Sequence, residues 1–333
     1  MKKFATLVAM FIAGGANAFT IGEGPLKLDL SGEIVSLWHN SMADSKSNTF
    51  DWGMINADLG YGGDEFKVGV MLGLIAPGKY SNEFIHNEGR YSTENSYINE
   101  FYVYGEGAFG RVELGRAENI NRKIHNQAVD ISPLLINGNY DFRMVGARVA
   151  GINSTAIDTD YDRMKVSYIT PRMAGLQLAG SVMSREDSPG ESDGYIPSNN
   201  FTAGFKWTSD SDFSFDAAYG QIDDIKQYHL GARKFHRGWE VASSYRNKNN
   251  IGEAFDFGIG YSFGPAKATL ATFNSYVDGY GNKDSVNITL ASLGYDIEKG
   301  VSVVGSAGRG AWSREGGESA VGGVFVLALK GEF

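Results

Sequence analysis

Gly323-Val324-Phe325-Val326-Leu327-Ala328-Leu329-Lys330-Gly331-Glu332-Phe333 ends the sequence. Counting back from Phe333, every second residue is Gly331, Leu329, Leu327 and Phe325. Side chains of a strand alternate between its two faces, so these residues share one face, apolar except for a glycine. The other face carries Glu332, Lys330 and Ala328, then Val326 and Val324. An apolar strand face must be covered. A second sheet covers it in a soluble sandwich, and lipid covers it in a membrane barrel.

The pattern recurs along the chain. Leu28, Leu30, Gly32 and Ile34 alternate with Lys27, Asp29, Ser31 and Glu33. Gly53, Ile55, Ala57, Leu59 and Tyr61 alternate with Met54, Asn56, Asp58 and Gly60, and Phe66, Val68, Val70, Leu72 and Leu74 with Lys67, Gly69, Met71 and Gly73. About sixteen strands are expected in this all-β chain. They fall at 27–38, 52–61, 66–74, 96–106, 110–116, 163–170, 175–183, 199–207, 213–220, 227–235, 239–246, 254–263, 266–276, 285–295, 301–308 and 319–333. Short turns, such as 62–64, 107–109, 209–212 and 264–265, alternate with long polar connections at 77–95, 117–162, 184–198 and 309–318. Short turns at one rim and long loops at the other mark a transmembrane antiparallel barrel. Aromatics at expected strand ends (Trp38, Trp52, Tyr61, Tyr102, Tyr104, Trp207, Trp239, Tyr261 and Tyr295) suit interfacial girdles, though strands favour aromatics in any setting.

The N-terminal region reads as a cleaved export signal. Lys2-Lys3 precedes an apolar run from Phe4 to Ala13, and Ala16-Asn17-Ala18 has the small-x-small form of a cleavage site. Residues 1–18 are therefore expected to be removed, leaving one domain, 19–333. Lys2 and Lys3 are the only charged residues of that segment, so the formal charge of −9 becomes −11 without it. An acidic chain does not suit nucleic acid, which selects basic surfaces. The sequence has no Cys, so no disulfide scaffold or Cys-based metal site can form. Gly, 44 of 333 residues, is about twice its ordinary share, consistent with a strand-and-turn architecture.

Several segments resemble the general trimeric porins of Gram-negative outer membranes. The terminal Phe resembles the signal by which outer-membrane barrels are recognised for insertion, although Tyr is often found where Gly331 stands. Tyr102-Val103, Phe109-Gly110 and Leu114-Gly115-Arg116 occur in the order and spacing of the family's fourth and fifth strands. Leu26 to Gly32 is similar to its first strand, and Asp162 to Met183 to its strand–turn–strand unit around Ser-Tyr-x-x-Pro. The resemblance implies a sixteen-stranded homotrimer in outer-membrane lipid, with the long third loop folded into the lumen.

That loop corresponds to residues from Ala117 to about Phe142. It carries Glu118, Asp130 and Asp141, the basic Arg122 and Lys123, and an apolar stretch from Ile131 to Ile136. Exposed apolar surface is unfavourable, so the stretch fits a loop packed on the inner wall better than one in solvent. In the family such loop carboxylates face basic wall residues, and opposed charges across a narrow pore select solutes. Arg116, Arg143, Arg148, Arg163 and Lys165 flank the loop here, and alternation puts Arg163, Lys165 and Ser167 on the lumen side. Where porins often carry basic residues on the first, second and fourth strands, this chain has Glu33, Asp58 and Asn99. A cation-preferring constriction is expected.

The leading function is passive diffusion of small hydrophilic solutes and ions, which requires only a wet lumen and a charged constriction. A substrate-selective channel would need a dedicated site, and a structural barrel usually has fewer strands or an added domain. An outer-membrane lipase would need a Ser–His pair with an orienting group, and none of His39, His86, His125, His229 and His236 lies in such a motif. No cofactor is expected. Calcium at Asp158-Thr159-Asp160 with Asp162 competes with a plain solvated acidic loop.

Overall fold

The structure, a computed structural model, describes residues 19–22, 24–41, 46–63, 65–76, 98–133, 152, 154–158, 164–183, 200–279, 282–317 and 319–333. Its strands are β1 (Phe19–Ile21), β2 (Leu26–Ser41), β3 (Lys46–Gly62), β4 (Phe66–Ala76), β5 (Ile98–Gly107), β6 (Gly110–Arg116), β7 (Met164–Ile169), β8 (Leu176–Met183) and β9 (Asn200–Thr208). They continue with β10 (Phe213–Ile222), β11 (Ile225–His236), β12 (Trp239–Lys248), β13 (Gly252–Phe263), β14 (Ala266–Gly279), β15 (Asn282–Glu298), β16 (Val301–Arg314) and β17 (Ser319–Glu332). A short helix, α1 (Ile120–Ile124), follows β6.

From β2 onward each strand pairs antiparallel with the next, and β17 pairs back onto β2, closing a sixteen-stranded barrel as the alternation predicts. The closing ladder ends where the Gly32 N–H donates to the Phe333 carbonyl at 2.8 Å and the Phe333 N–H donates to the Gly32 carbonyl at 3.0 Å. The short β1 pairs with Leu28 to Leu30 on the same edge of β2, below the end of β17.

Outward positions are exposed and apolar over most of the wall: Leu59, Phe101, Leu114, Val166, Val182 and Leu230 alternate with inward neighbours. The long strands β14, β15, β16 and β17 (14, 17, 14 and 14 residues) exceed the roughly 9–11 residues that cross a bilayer. Their polarity reverses along their length. Toward the short-turn rim, Leu270, Leu293 and Leu327 face out while Thr269, Ser292 and Ser306 are buried inside. Further up, Thr272, Asn274, Asn287, Thr289 and Arg309 take the outward positions, while Phe273, Ile288, Leu290, Trp312 and Val326 form an internal apolar cluster.

Two sequence expectations change. Residues 309–318 are not a long loop, because β16 runs to Arg314 and β17 starts at Ser319, leaving a tight hairpin. Polar outward side chains above the lipid band had concealed that strand. Tyr102 and Tyr104 are not girdle residues: they point inward, 5% and 4% exposed, while Trp207, Trp239, Tyr261 and Tyr295 do face out near the short turns.

A Cβ at Gly32 would collide with the Met54 carbonyl and lie 2.8 Å from the Phe333 ring. Gly32→Ala is expected to destabilise the closing ladder by about 1–3 kcal/mol, the usual range for overpacking. Gly305→Ala, with open space at its Cβ, should leave stability near that of the parent. The temperature at which the barrel loses its compact gel mobility checks both.

Candidate functional site

A chain segment inside a barrel must find partners for its backbone N–H and C=O groups, since a buried unpaired group costs about as much as a lost hydrogen bond. The inner wall of β10 to β13 supplies those partners to residues following β6. Asp216 and Asp256 are both fully buried. Asp216 Oδ1 accepts from the Asn126 backbone N–H at 2.8 Å and from its side-chain amide at 2.6 Å. Asp256 Oδ1 accepts from the Ala128 N–H at 2.9 Å, and its Oδ2 from the Thr155 and Ser244 hydroxyls, each at 2.7 Å. Arg246 donates to the carbonyls of Ser154 at 3.2 Å and Ala156 at 2.8 Å. Both ring nitrogens of His229 are committed, at 2.7 Å from the Thr155 carbonyl and from Asp216 Oδ2.

The wall also makes room. Side chains at Gly204, Gly258 and Gly294 would run into Ile124, the Val129 backbone and Ile131 respectively. The segment thus lies flat where the strands present glycine. Helix α1 is capped by the Asn119 side chain, which accepts from the Asn121 N–H at 2.7 Å. Its Ile120 and Ile124 pack against Ala179, with Ile169 beside them.

On the opposite wall, charges and tyrosines interleave. Asp58 accepts from the Tyr104 hydroxyl at 2.7 Å and from Lys67 at 3.2 Å. The Arg111 guanidinium lies 3.9 Å from the Tyr104 ring centre, a cation–π contact, and donates to Glu106 and Glu113, each at 2.8 Å. Lys123 of α1 reaches the other oxygen of Glu113, tying the loop to β6. The Glu118 N–H donates to Glu100 at 2.8 Å.

Of the residues singled out in the sequence, Glu33 and Asp58 face inward, but each meets a cation: Lys330 lies 2.9 Å from Glu33, and Lys67 pairs with Asp58. Lys165 and Ser167 are buried on the inward face, as alternation requires. Arg116 instead stands opposite Phe101 and Met164, on the face of Val112 and Leu114. Asp130 accepts from the Ser132 N–H at 2.8 Å and so shapes its own turn. Asp141, Arg143, Arg148 and Arg163 lie outside the described residues, as do Asp160 and Asp162 of the considered calcium loop. Asp158 of that loop is occupied by Arg246 at 2.7 Å and by Gln227. Asp216, Asp256 and Arg246 were not singled out, yet their signal is present. Asp256 stands between the outward Phe255 and Phe257, and Asp216 follows Phe215, so each is an isolated carboxylate at an inward position.

Two loop groups are shifted in charge preference. Burial disfavours the His125 imidazolium, and the neighbouring His229 ring at 5.6 Å adds to this, lowering the group to about 4. Burial alone would raise the Asp158 carboxyl, but Arg246 and Lys248 outweigh it and hold the group well below the usual carboxylate range.

Comparison with known proteins agrees with this architecture. A family model described as Gram-negative porin matches residues 5–311. No curated protein sequence matches the chain. Among solved structures, Salmonella typhi OmpF in complex with daunomycin superposes with a TM-score of 0.70 at 14% identity, over 95% of this chain and 100% of that one. The trimer form of Vibrio cholerae OmpT gives 0.65 at 10% identity, over 93% and 100%. An anion-selective porin from Comamonas acidovorans gives 0.64 at 12%, over 92% and 99%.

Gly258→Val should push the Val129 backbone off the wall, giving a changed and noisier single-channel conductance from a barrel that still folds. Acid should loosen the same segment. His125 is uncharged at neutral pH, so its penalty accrues as pH falls from 6.5 to about 4 and is constant below. Asp158 stabilises the seated loop above its unfolded value of 3.8, and that contribution is lost below it. Conductance fluctuations recorded across this range check the sign, and His125→Gln should remove the upper limb.

Proposed function

The chain belongs to the Gram-negative porin family and forms an outer-membrane diffusion channel, and we propose that it passes small hydrophilic solutes and inorganic ions with a preference for cations. The observation that carries the preference is the charge of the wall formed by β2 to β6 and the adjoining loop. There Glu33, Asp58, Glu100, Glu106, Glu113, Glu118 and Asp130 outnumber Lys67, Arg111, Arg122 and Lys123, even with Lys330 of the adjoining β17 added. Because Glu33 and Asp58 each have a lysine partner, the preference rests on this sum and not on those two residues alone.

The segment from Ala117 onward serves as the constriction. It is held on one side by Asp216 and Asp256 and on the other by Glu113 and Glu100. Its backbone is pinned at many points, so it acts as a fixed sieve, and solute size and charge decide passage. The channel is read as a homotrimer in outer-membrane lipid, a reading that the Vibrio cholerae trimer form supports, and the removal of residues 1–18 on export rests on the Lys2-Lys3, apolar and Ala16-Asn17-Ala18 pattern of the sequence. Catalysis has no support at His229, whose two ring nitrogens are already held by Asp216 and Thr155.

In a planar bilayer under a potassium chloride gradient, the reversal potential should have the cation-selective sign, and Glu106→Gln with Glu118→Gln should reduce it. An anion-selective potential from the parent protein would overturn the preference while leaving the channel.

A further inference from the structure

The outward faces of β14 to β17 form ladder rows whose chemistry changes abruptly. One row reads Leu270, Ala291, Ala307, Phe325. The next row up reads Thr272, Thr289, Arg309, Gly323, and the one above it Asn274, Asn287, Ala311, Val321. The inward faces change in the opposite sense at the same level, from Ser292 and Ser306 to Ile288 and Trp312. This double reversal marks where hydrocarbon ends, because below it apolar groups face lipid and above it they retreat to the interior. Arg309 is the first charged residue past that line. It stands nine residues beyond Gly300 on β16, roughly 23 Å above the short-turn rim for a tilted strand, near the top of an apolar band about 25 Å tall.

The neutral polar groups around Arg309 satisfy one another. Thr289 donates to Thr272 at 3.3 Å, Thr272 to the Ile288 carbonyl at 2.9 Å, and the Asn287 amide to Asn274. The Arg309 side chain is exposed and makes no hydrogen bond or ion pair among the described residues. Directly above it, Tyr276, Asn274, Asn287, Ser313, Phe255 and Tyr245 line an outward-facing groove of about 460 Å³. Glu253, on the far side of that groove, is engaged by the Tyr245 hydroxyl at 2.8 Å.

The geometry points to a seat for the phosphorylated headgroup of an outer-leaflet lipid, with Arg309 as its cation and the groove above holding the remaining polar headgroup. A guanidinium suits phosphate because it presents parallel N–H donors. A lipid phosphate is an anion that the bilayer itself delivers to this height, and basic groups there gain attraction to it. A second copy of the chain fits less well. A two-fold contact would set Arg309 against Arg309. A ring contact would need a carboxylate on another outward face, and the described outward positions of β2, β5, β6, β7 and β8, Trp38, Phe101, Leu114, Val166 and Val182 among them, carry none.

The test is native mass spectrometry of the purified protein in micelles doped with phosphatidic acid or, separately, phosphatidylcholine. The parent should retain phosphatidic acid over phosphatidylcholine by about fivefold, the share one surface cation supplies. Arg309→Gln should bring the ratio near one, and Arg309→Lys should keep part of it. Equal retention by parent and R309Q would overturn the seat, as would loss of higher assembly in R309Q with lipid retention intact. If R309Q does not fold, Ala311→Phe narrows the groove with the guanidinium in place, and undiminished retention there would overturn it too. The seat rests on the membrane reading of the barrel. Bilayer conductance of the same preparations separates the two, because it should be alike in parent and variants whatever the lipid result.

Discussion

Hydrocarbon offers backbone amides no hydrogen-bond partner, and the rest of this structure depends on that constraint. A sheet can cross lipid only if it has no free edge, so β17 must find β2. The mutual hydrogen bonds of Gly32 and Phe333 end that closing ladder. Once the ring is closed, period-two alternation leaves each residue only an outside or an inside. Leu, Val and aromatic residues take the outside across most of the wall. The inside is left to carboxylates, cations, hydroxyls and glycines, except where the upper parts of β14 to β17 turn an apolar cluster inward.

The segment placed inside the ring meets the same difficulty in milder form. Among its described residues only Ile120–Ile124 are helical, so most of those backbone groups lack local partners. Asp216, Asp256, His229 and Arg246 act as side-chain substitutes for a strand edge, accepting from or donating to the loop backbone. Glycines on the wall beneath allow close approach. Burying these charges is costly unless each is fully paired, and here each is bound by several partners. The tyrosine and arginine stack on β5 and β6 follows the same logic, holding carboxylates in place without leaving any of them bare.

The strands were legible because lipid demands a repeating apolar face, and their number and order follow from alternation and turn chemistry. Their lengths were not. Above the hydrocarbon the outward face of β14 to β17 becomes polar, so the upper ends resemble loop sequence. The site was only partly legible. Glu33, Asp58 and Lys165 do point inward, but their neighbours across the ladder depend on register, which no local pattern reveals. Lys67 lies nine residues from Asp58, and Lys330 is at the far end of the chain from Glu33. The carboxylates that seat the loop stand about 90 and 128 residues from their partners. Tyr102 and Tyr104 suited a girdle by type, yet the face they share with Asp58 and Arg111 turns them inward.

The most direct measurement is single-channel conductance of the Asp216→Asn, Asp256→Asn double variant in a planar bilayer beside the parent. Asn keeps the size of each side chain but removes the charge and half of its accepting capacity, so the loop should lose its seat. A larger, fluctuating conductance from a folded barrel is expected. Steady conductance equal to that of the parent would contradict the role of these carboxylates in setting the constriction.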